Sequence, residues 1–284
     1  MRPKVVVSIA AALLVAACST GPGAAPPSTS APATPATDGQ SSEPSAPAAA
    51  ALTIFAAASL KSALEQAKTA YQAANPGSTI TLATDSSAAL ETQIEQGAPA
   101  DVFLSADTTN PQKLINGGFT SGEAIPFAGN KLTVIVPTDN PAAIQSAADL
   151  AKPGLRIIAA GDEVPITKYA TQLVENLAAE ADDPARFAAA YVANVASKED
   201  NVSSIVSKVA LGEGDAGIVY VTDAAASDEV TAIAVPDAAN VPATYAGVVV
   251  GESPNHEAGA AFLDWLTGTD GQAVLSSFGF LPPP

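Results

Sequence analysis

The chain has 284 residues, 48% of them hydrophobic and only 14% charged, with 12 basic against 29 acidic residues and a formal net charge of −17. Such a surface repels nucleic acid and anionic lipid headgroups. One cysteine and one histidine exclude an intramolecular disulfide and a cysteine-based metal cluster.

Arg2 and Lys4 precede an apolar run over residues 5–17, interrupted only by Ser8 and too short to cross a bilayer. The run ends Val15-Ala16-Ala17-Cys18. Small residues followed by cysteine resemble the lipobox of bacterial lipoproteins, which implies cleavage before Cys18 and acylation of it. Residues 1–17 then form the signal peptide. Residues 18–50 are Pro, Ala, Ser, Thr and Gly with almost no large apolar side chain. This composition cannot bury a core and is expected to stay disordered. The two features together imply a domain anchored to the extracytoplasmic face of the cell membrane rather than spanning it.

From residue 52 strands and helices alternate. Residues 52–55 (Leu-Thr-Ile-Phe) read as a short buried strand. Residues 59–74 read as a helix with Leu60, Ala63, Leu64, Ala67, Ala70, Tyr71 and Ala74 on one face, stopped by Asn75-Pro76-Gly77. A strand over 79–83 follows, then a helix opened by Ser86 or Ser87 and closed by Gly97. Strands are expected at 102–105, 131–136 and 155–160. Helices are expected at 165–179, with Pro165 suited to the first turn, at 184–195 and at 202–211. Strands at 216–221, 230–235 and 245–250 and two closing helices complete the pattern. The alternation predicts α/β architecture with mostly parallel sheets, and no repeat of fixed period is present.

Ligands in such folds sit at the carboxyl ends of strands, where helix N-termini expose unpaired N–H groups. Ser59, in Ala57-Ala58-Ser59-Leu60, offers a hydroxyl and an N–H behind the first strand. Ser87, in Asp85-Ser86-Ser87-Ala88, does the same behind the second. Ile166 and Val202 stand at two later helix starts, and Tyr220 ends a buried strand with a phenol. Together these groups form an anion site without a cation. Each serine taken alone is equally suited to capping its helix.

In this order the segments resemble the substrate-binding proteins of molybdate ABC transporters. The resemblance runs over the whole folded part. It is carried by Thr53-Ile54-Phe55-Ala56-Ala57-Ala58-Ser59-Leu60, by Gln93-Ile94-Glu95-Gln96-Gly97-Ala98-Pro99-Ala100-Asp101-Val102-Phe103-Leu104-Ser105-Ala106, by Gly217-Ile218-Val219-Tyr220-Val221-Thr222-Asp223-Ala224 and by Phe278-Gly279-Phe280. It implies a two-lobed periplasmic-binding-protein fold of the class II type, each lobe a mixed, mostly parallel sheet flanked by helices, with the ligand cleft between the lobes. Residues 51–131 with 241–284 would form one lobe and 132–240 the other, with hinge crossings near residues 131 and 241. It implies that molybdate or tungstate, and no other cofactor, is held by neutral donors from Ser59, Ser87, Ile166, Val202 and Tyr220. The partner implied is the membrane permease of an ABC transporter, and the receptor is expected to be a monomer. Where many relatives have Ala-Gly after the proline, this chain has Ile166-Thr167, and Ala88 stands where relatives often have a third serine. Asn201 lengthens the segment before Val202, so Asn201 and Ser203 remain alternative donors.

Sulfate differs from molybdate mainly in size. Phosphate keeps a proton near neutral pH and needs an acceptor, for which Asp85 and Asp200 are the nearest carboxylates in sequence; both are expected to face solvent or cap helices. His256 is expected at a helix start in a solvated or capping role, and Phe262 and Trp265 in the core. Lys61, Lys168 and Lys198 are expected to face water. No Gly-x-Ser-x-Gly elbow, P-loop, dinucleotide fingerprint or zinc spacing is present, which argues against an enzyme.

Overall fold

The computed structural model describes residues 50–284; the leader, Cys18 and nearly all of the segment to residue 50 lie outside the described residues. The chain begins with β1 (Ala51–Ala57), a 3-10 turn (Ala58–Leu60), α1 (Lys61–Ala74), β2 (Thr79–Asp85), α2 (Ser87–Glu95), β3 (Val102–Ser105), α3 (Thr109–Asn116) and β4 (Ile125–Asn130). It continues with β5 (Leu132–Pro137), a second 3-10 turn (Ala147–Ala151), β6 (Ile157–Ala160), α4 (Pro165–Ala179), α5 (Pro184–Asn194), β7 (Val195–Glu199), α6 (Val202–Ala210), β8 (Ala216–Tyr220), α7 (Val221–Ala225) and β9 (Val230–Ile233). It ends with β10 (Ala243–Val249), α8 (His256–Thr267) and α9 (Thr269–Ser277).

Two five-stranded sheets result, in the orders β2-β1-β3-β10-β4 and β7-β6-β8-β5-β9. The two orders are topologically equivalent, with β6, β7 and β8 in the places of β1, β2 and β3. Each sheet has two parallel pairings, made through crossover helices, and two antiparallel ones. The expected predominance of parallel pairing is halved for a topological reason. β5 enters straight from β4, and β10 returns from the other sheet, so each lies reversed beside its neighbours without a crossover helix.

Four helices and strands go beyond the sequence expectation, among them α7, whose first residue falls at the end of the strand expected before it. In α3, Pro111 sits in the first turn and Asp107 accepts the Asn110 N–H at 3.1 Å. β4 contains Pro126 and Gly129, residues that disfavour strands. β7 follows α5 directly, so the helix expected to reach Val195 ends one residue earlier.

The core is apolar and falls into two clusters. α1 buries Ala63, Leu64, Ala67 and Tyr71. The Tyr71 ring packs edge-on to Phe262 at 5.1 Å and Trp265 at 5.3 Å, as expected of those two residues. Phe55, Leu90, Ile94, Phe103, Leu114 and Val248 form a second cluster. Gly217 of β8 allows α6 to pack closely: a Cβ there would lie 2.5 Å from Ile205 Cγ2.

The two passages between the sheets lie side by side. Leu132 N–H donates to Asn240 Oδ1 at 3.0 Å, and Asn240 Nδ2 donates to the Leu132 carbonyl at 2.8 Å. Lys131 Nζ pairs with Asp237 at 2.8 Å.

Candidate functional site

Parallel register levels the first two serines. β1 and β2 pair from Ala51↔Thr79 to Ala57↔Asp85, so Ser59 and Ser87 each lie two residues past the end of the ladder. The equivalent ends of the second sheet lead to Ile166 after β6 and to Val202 after β7, while β8 ends in Tyr220 itself. All five residues line one small cavity of about 10 Å3, together with Ala57, Ala58, Ser86, Ala106, Val164 and Pro165. That volume is close to the space of a single water, so the residues of the two sheets converge on one narrow gap.

Each donor is left free by its local bonding. Ser86, not Ser87, caps α2: its Oγ accepts the Ala89 N–H at 3.2 Å. Ser87, fully buried, instead accepts the Ala106 N–H at 3.0 Å. Its oxygen is thereby used as an acceptor and its proton is available to the cavity. Ser59 lies in the 3-10 turn and caps no helix; its Oγ is 2.9 Å from Tyr245 Oη.

On the opposite side, Pro165 has no N–H and the Thr167 N–H closes on the Val164 carbonyl at 2.9 Å. Ile166 N–H is therefore the first-turn donor left without an intrahelical acceptor. The Ile166 side chain turns into the core and is 2% exposed.

Among the alternatives at α6, Asn201 is committed twice. Its Oδ1 accepts the Ser204 N–H at 3.1 Å, and its Nδ2 donates to Asp85 Oδ1 at 3.0 Å. Ser203 is exposed, while Val202 is buried and lines the cavity.

Tyr220 is 1% exposed, and its Oη makes no hydrogen bond among the described residues. Its ring packs edge-on to Tyr245 at 5.5 Å and Tyr169 at 6.4 Å. Burial pushes the phenols of Tyr220 and Tyr245 well above their ordinary pKa, so both stay protonated donors. Just behind, the Asp223 carboxylate accepts the Tyr220 N–H at 3.1 Å; burial lifts its pKa to about 7.

Among the described residues, no charged side chain lines the cavity. Asp85 is held by the Ser86 N–H at 2.8 Å and by Asn201, and Asp200 is exposed. Lys61, Lys168 and Lys198 are exposed, and Lys198 pairs with Asp162. His256 opens α8 and bonds Ser121 Oγ. What the arrangement offers is a small enclosed set of neutral N–H and O–H donors, suited to a compact, fully ionised oxyanion.

Tyr245, Asn130 and Ala106 are missing from the site as read from sequence. Tyr245 sits in an expected strand, and only its contact with Ser59, 186 positions away, reveals its relevance. Asn130 carries no local motif, and Ala106 only ends a segment in which nothing marks its N–H. Their roles come from through-space bonds to Tyr245 and to Ser87.

Residues 52–281 match the family model of bacterial extracellular solute-binding proteins. A relative from Mycobacterium tuberculosis (strain ATCC 25618 / H37Rv), molybdate-binding protein ModA, is 35% identical over 236 residues, which cover 83% of this chain and 86% of the relative. The solved periplasmic molybdate-binding protein of Azotobacter vinelandii aligns with a TM-score of 0.70 and 24% identity, over 82% of this chain and all of that one. The sulfate-binding protein SubI of Mycobacterium tuberculosis H37Rv aligns with a TM-score of 0.72 and 21% identity, over 82% of this chain and 87% of that one. At those identities the two structures establish the fold. The chain belongs to the bacterial extracellular solute-binding protein family, a family of receptors and not of enzymes.

Proposed function

We propose that this protein is an extracytoplasmic receptor that captures molybdate, and tungstate with it, between its two lobes and delivers it to the permease of an ABC transporter. Residues 51–131 with 241–284 form one lobe and 132–240 the other. Ser59 and Ser87 supply hydroxyl and backbone donors from the first, Ile166 and Val202 backbone N–H groups from the second, and Tyr220 its phenol. Cys18 carries a lipid anchor that keeps a monomeric receptor at the membrane beside its permease. The observation that carries this reading is the buried, unpartnered Tyr220 Oη lining a cavity with donors from equivalent strand ends of both sheets.

The chemistry narrows the ligand. Each hydrogen bond from a neutral donor to a charged oxygen contributes roughly 1.5–3 kcal/mol net, less the cost of ordering both lobes. A fully ionised tetrahedral dianion accepts from every direction and uses all the donors. Hydrogen phosphate brings its own proton, and no carboxylate lines the cavity to receive it. Sulfate meets the same donors, so size alone separates it from molybdate.

Calorimetric titration and thermal denaturation with molybdate, tungstate, sulfate and phosphate test the reading. A ligand at 100 times its dissociation constant stabilises by about 2.7 kcal/mol. Stabilisation by molybdate and tungstate is expected. Stabilisation by sulfate alone would replace the ligand, and no response to any anion would remove the function.

A further inference from the structure

Two buried residues behind the cavity, Tyr245 and Asn130, carry an order of hydrogen bonds that the ligand set alone does not require. Asn130, 1% exposed, ends β4 at the passage between the sheets. Its Oδ1 accepts the Lys131 N–H at 2.9 Å, which fixes the amide so that Nδ2 points the other way. Nδ2 donates to Thr222 Oγ1 at 2.8 Å and to Tyr245 Oη at 3.4 Å. An amide nitrogen only donates, so Tyr245 Oη is an acceptor there. Its single proton is then directed to its other partner, Ser59 Oγ, at 2.9 Å. Ser59, having accepted, has its own proton left for the cavity. The Ala106 N–H imposes the same polarity on Ser87.

We infer that Tyr245, oriented by Asn130, is a positioning residue that locks Ser59 as a hydrogen-bond donor and so makes the site reject protonated oxyanions. The inference rests on the oxyanion-receptor reading above and adds the origin of its selectivity. With one lone pair of each serine oxygen already used, the protons of both hydroxyls are directed into the cavity. An anion that retains a proton places O–H against O–H and loses one bond. An anion with none loses nothing. Without the Tyr245 hydroxyl, Ser59 is free to turn and accept from such a ligand.

Tyr245→Phe removes the hydroxyl and keeps the ring that packs edge-on to Phe127 at 6.2 Å and Phe280 at 5.4 Å. Asn130→Asp keeps the acceptor for the Lys131 N–H but replaces the donor facing Tyr245 by a second acceptor. That change reverses the relay, so that Ser59 donates backwards and shows the cavity a lone pair. The experiment measures dissociation constants of the full chain and both variants for molybdate, sulfate and inorganic phosphate at pH 7. For Tyr245→Phe, the preference for molybdate over phosphate should fall by about tenfold, the worth of one hydrogen bond. The preference for molybdate over sulfate should stay within about twofold. For Asn130→Asp, molybdate and sulfate should weaken together and more than phosphate. Equal weakening of all three anions in both variants, the signature of a merely structural role, would overturn the relay, as would unchanged preferences. The wild-type molybdate titration tests the receptor reading separately, because the relay is judged only by the change in preference between wild type and variant.

Discussion

Tyr220→Phe should move stability and affinity in opposite directions. The Tyr220 Oη is buried without a hydrogen-bond partner among the described residues, and an unsatisfied buried polar group costs about 1–3 kcal/mol. Phenylalanine removes that group and keeps the edge-on packing with Tyr169 and Tyr245. The ligand-free variant should therefore be more stable by about 1 kcal/mol, the lower end of that range, because opening of the cleft hydrates the hydroxyl part of the time. The same change removes one donor to a charged oxygen, worth roughly 1.5–3 kcal/mol, which is about 10- to 150-fold in affinity. Urea denaturation without ligand gives the first quantity and calorimetric titration with molybdate the second. A variant that is destabilised and binds molybdate as tightly as the wild type would refute the reasoning, since the hydroxyl would then be a structural group with a partner.

Asp223, with its pKa lifted to about 7 from an ordinary value of 3.8, makes stability depend on pH with a definite sign. Folding favours the protonated acid, so stability is greatest below about pH 4, falls on the order of 4 kcal/mol as pH rises through 7, and is flat above. Asp223→Asn, which keeps an acceptor for the Tyr220 N–H, should abolish that slope in denaturant midpoints measured from pH 4 to 8; a slope that persists would exclude Asp223 as its source. Asn201→Ser keeps a capping oxygen for α6 and removes the amide that reaches Asp85 across the two donor loops. Molybdate affinity should fall about tenfold with little change in ligand-free melting temperature, and an unchanged affinity would show that this bridge does not assist closure.

Much of the fold was legible because its signals are local. β3 and α4 coincide with the residues expected of them, the first a short apolar run before Ala106-Asp107, the second opened by Pro165. β7 was not legible because its sequence, Val-Ala-Ser-Lys-Glu, is half polar; it lies at a sheet edge and is defined only by its ladder to β6. β4 hides behind Pro126 and Gly129, tolerated because Gly129 N–H bonds the Leu281 carbonyl at 2.7 Å near the chain end. At the site, Ser59, Ser87, Ile166, Val202 and Tyr220 were legible as strand-end and helix-start residues. The division of labour between Ser86 and Ser87, and the choice of Val202 over Ser203, were not. Those depend on where Ala106 and Asn201 lie in space.

A cleft built without cations suits a chain this acidic. Several of its basic side chains are taken up by its 29 acidic residues: Lys198 takes Asp162, Lys208 takes Glu199, Lys131 takes Asp237 and Arg156 takes Asp215. A lysine placed in the cavity would need a carboxylate as counter-ion, since none lines the cavity, and a pair formed across the cleft would draw the lobes together with no ligand present. Closure would then report nothing, and the ligand would have to displace an ion pair to enter. Backbone N–H groups at helix starts and hydroxyls already committed as acceptors have no such substitute, because the residues facing them are donors too. Donor against donor gives these groups no bonds to one another when the cleft is empty, and only an anion that accepts from both sides supplies them. The long-range repulsion that net charge imposes on that anion is the weaker effect, since salt screens it over about 8–10 Å, whereas the donors act at contact.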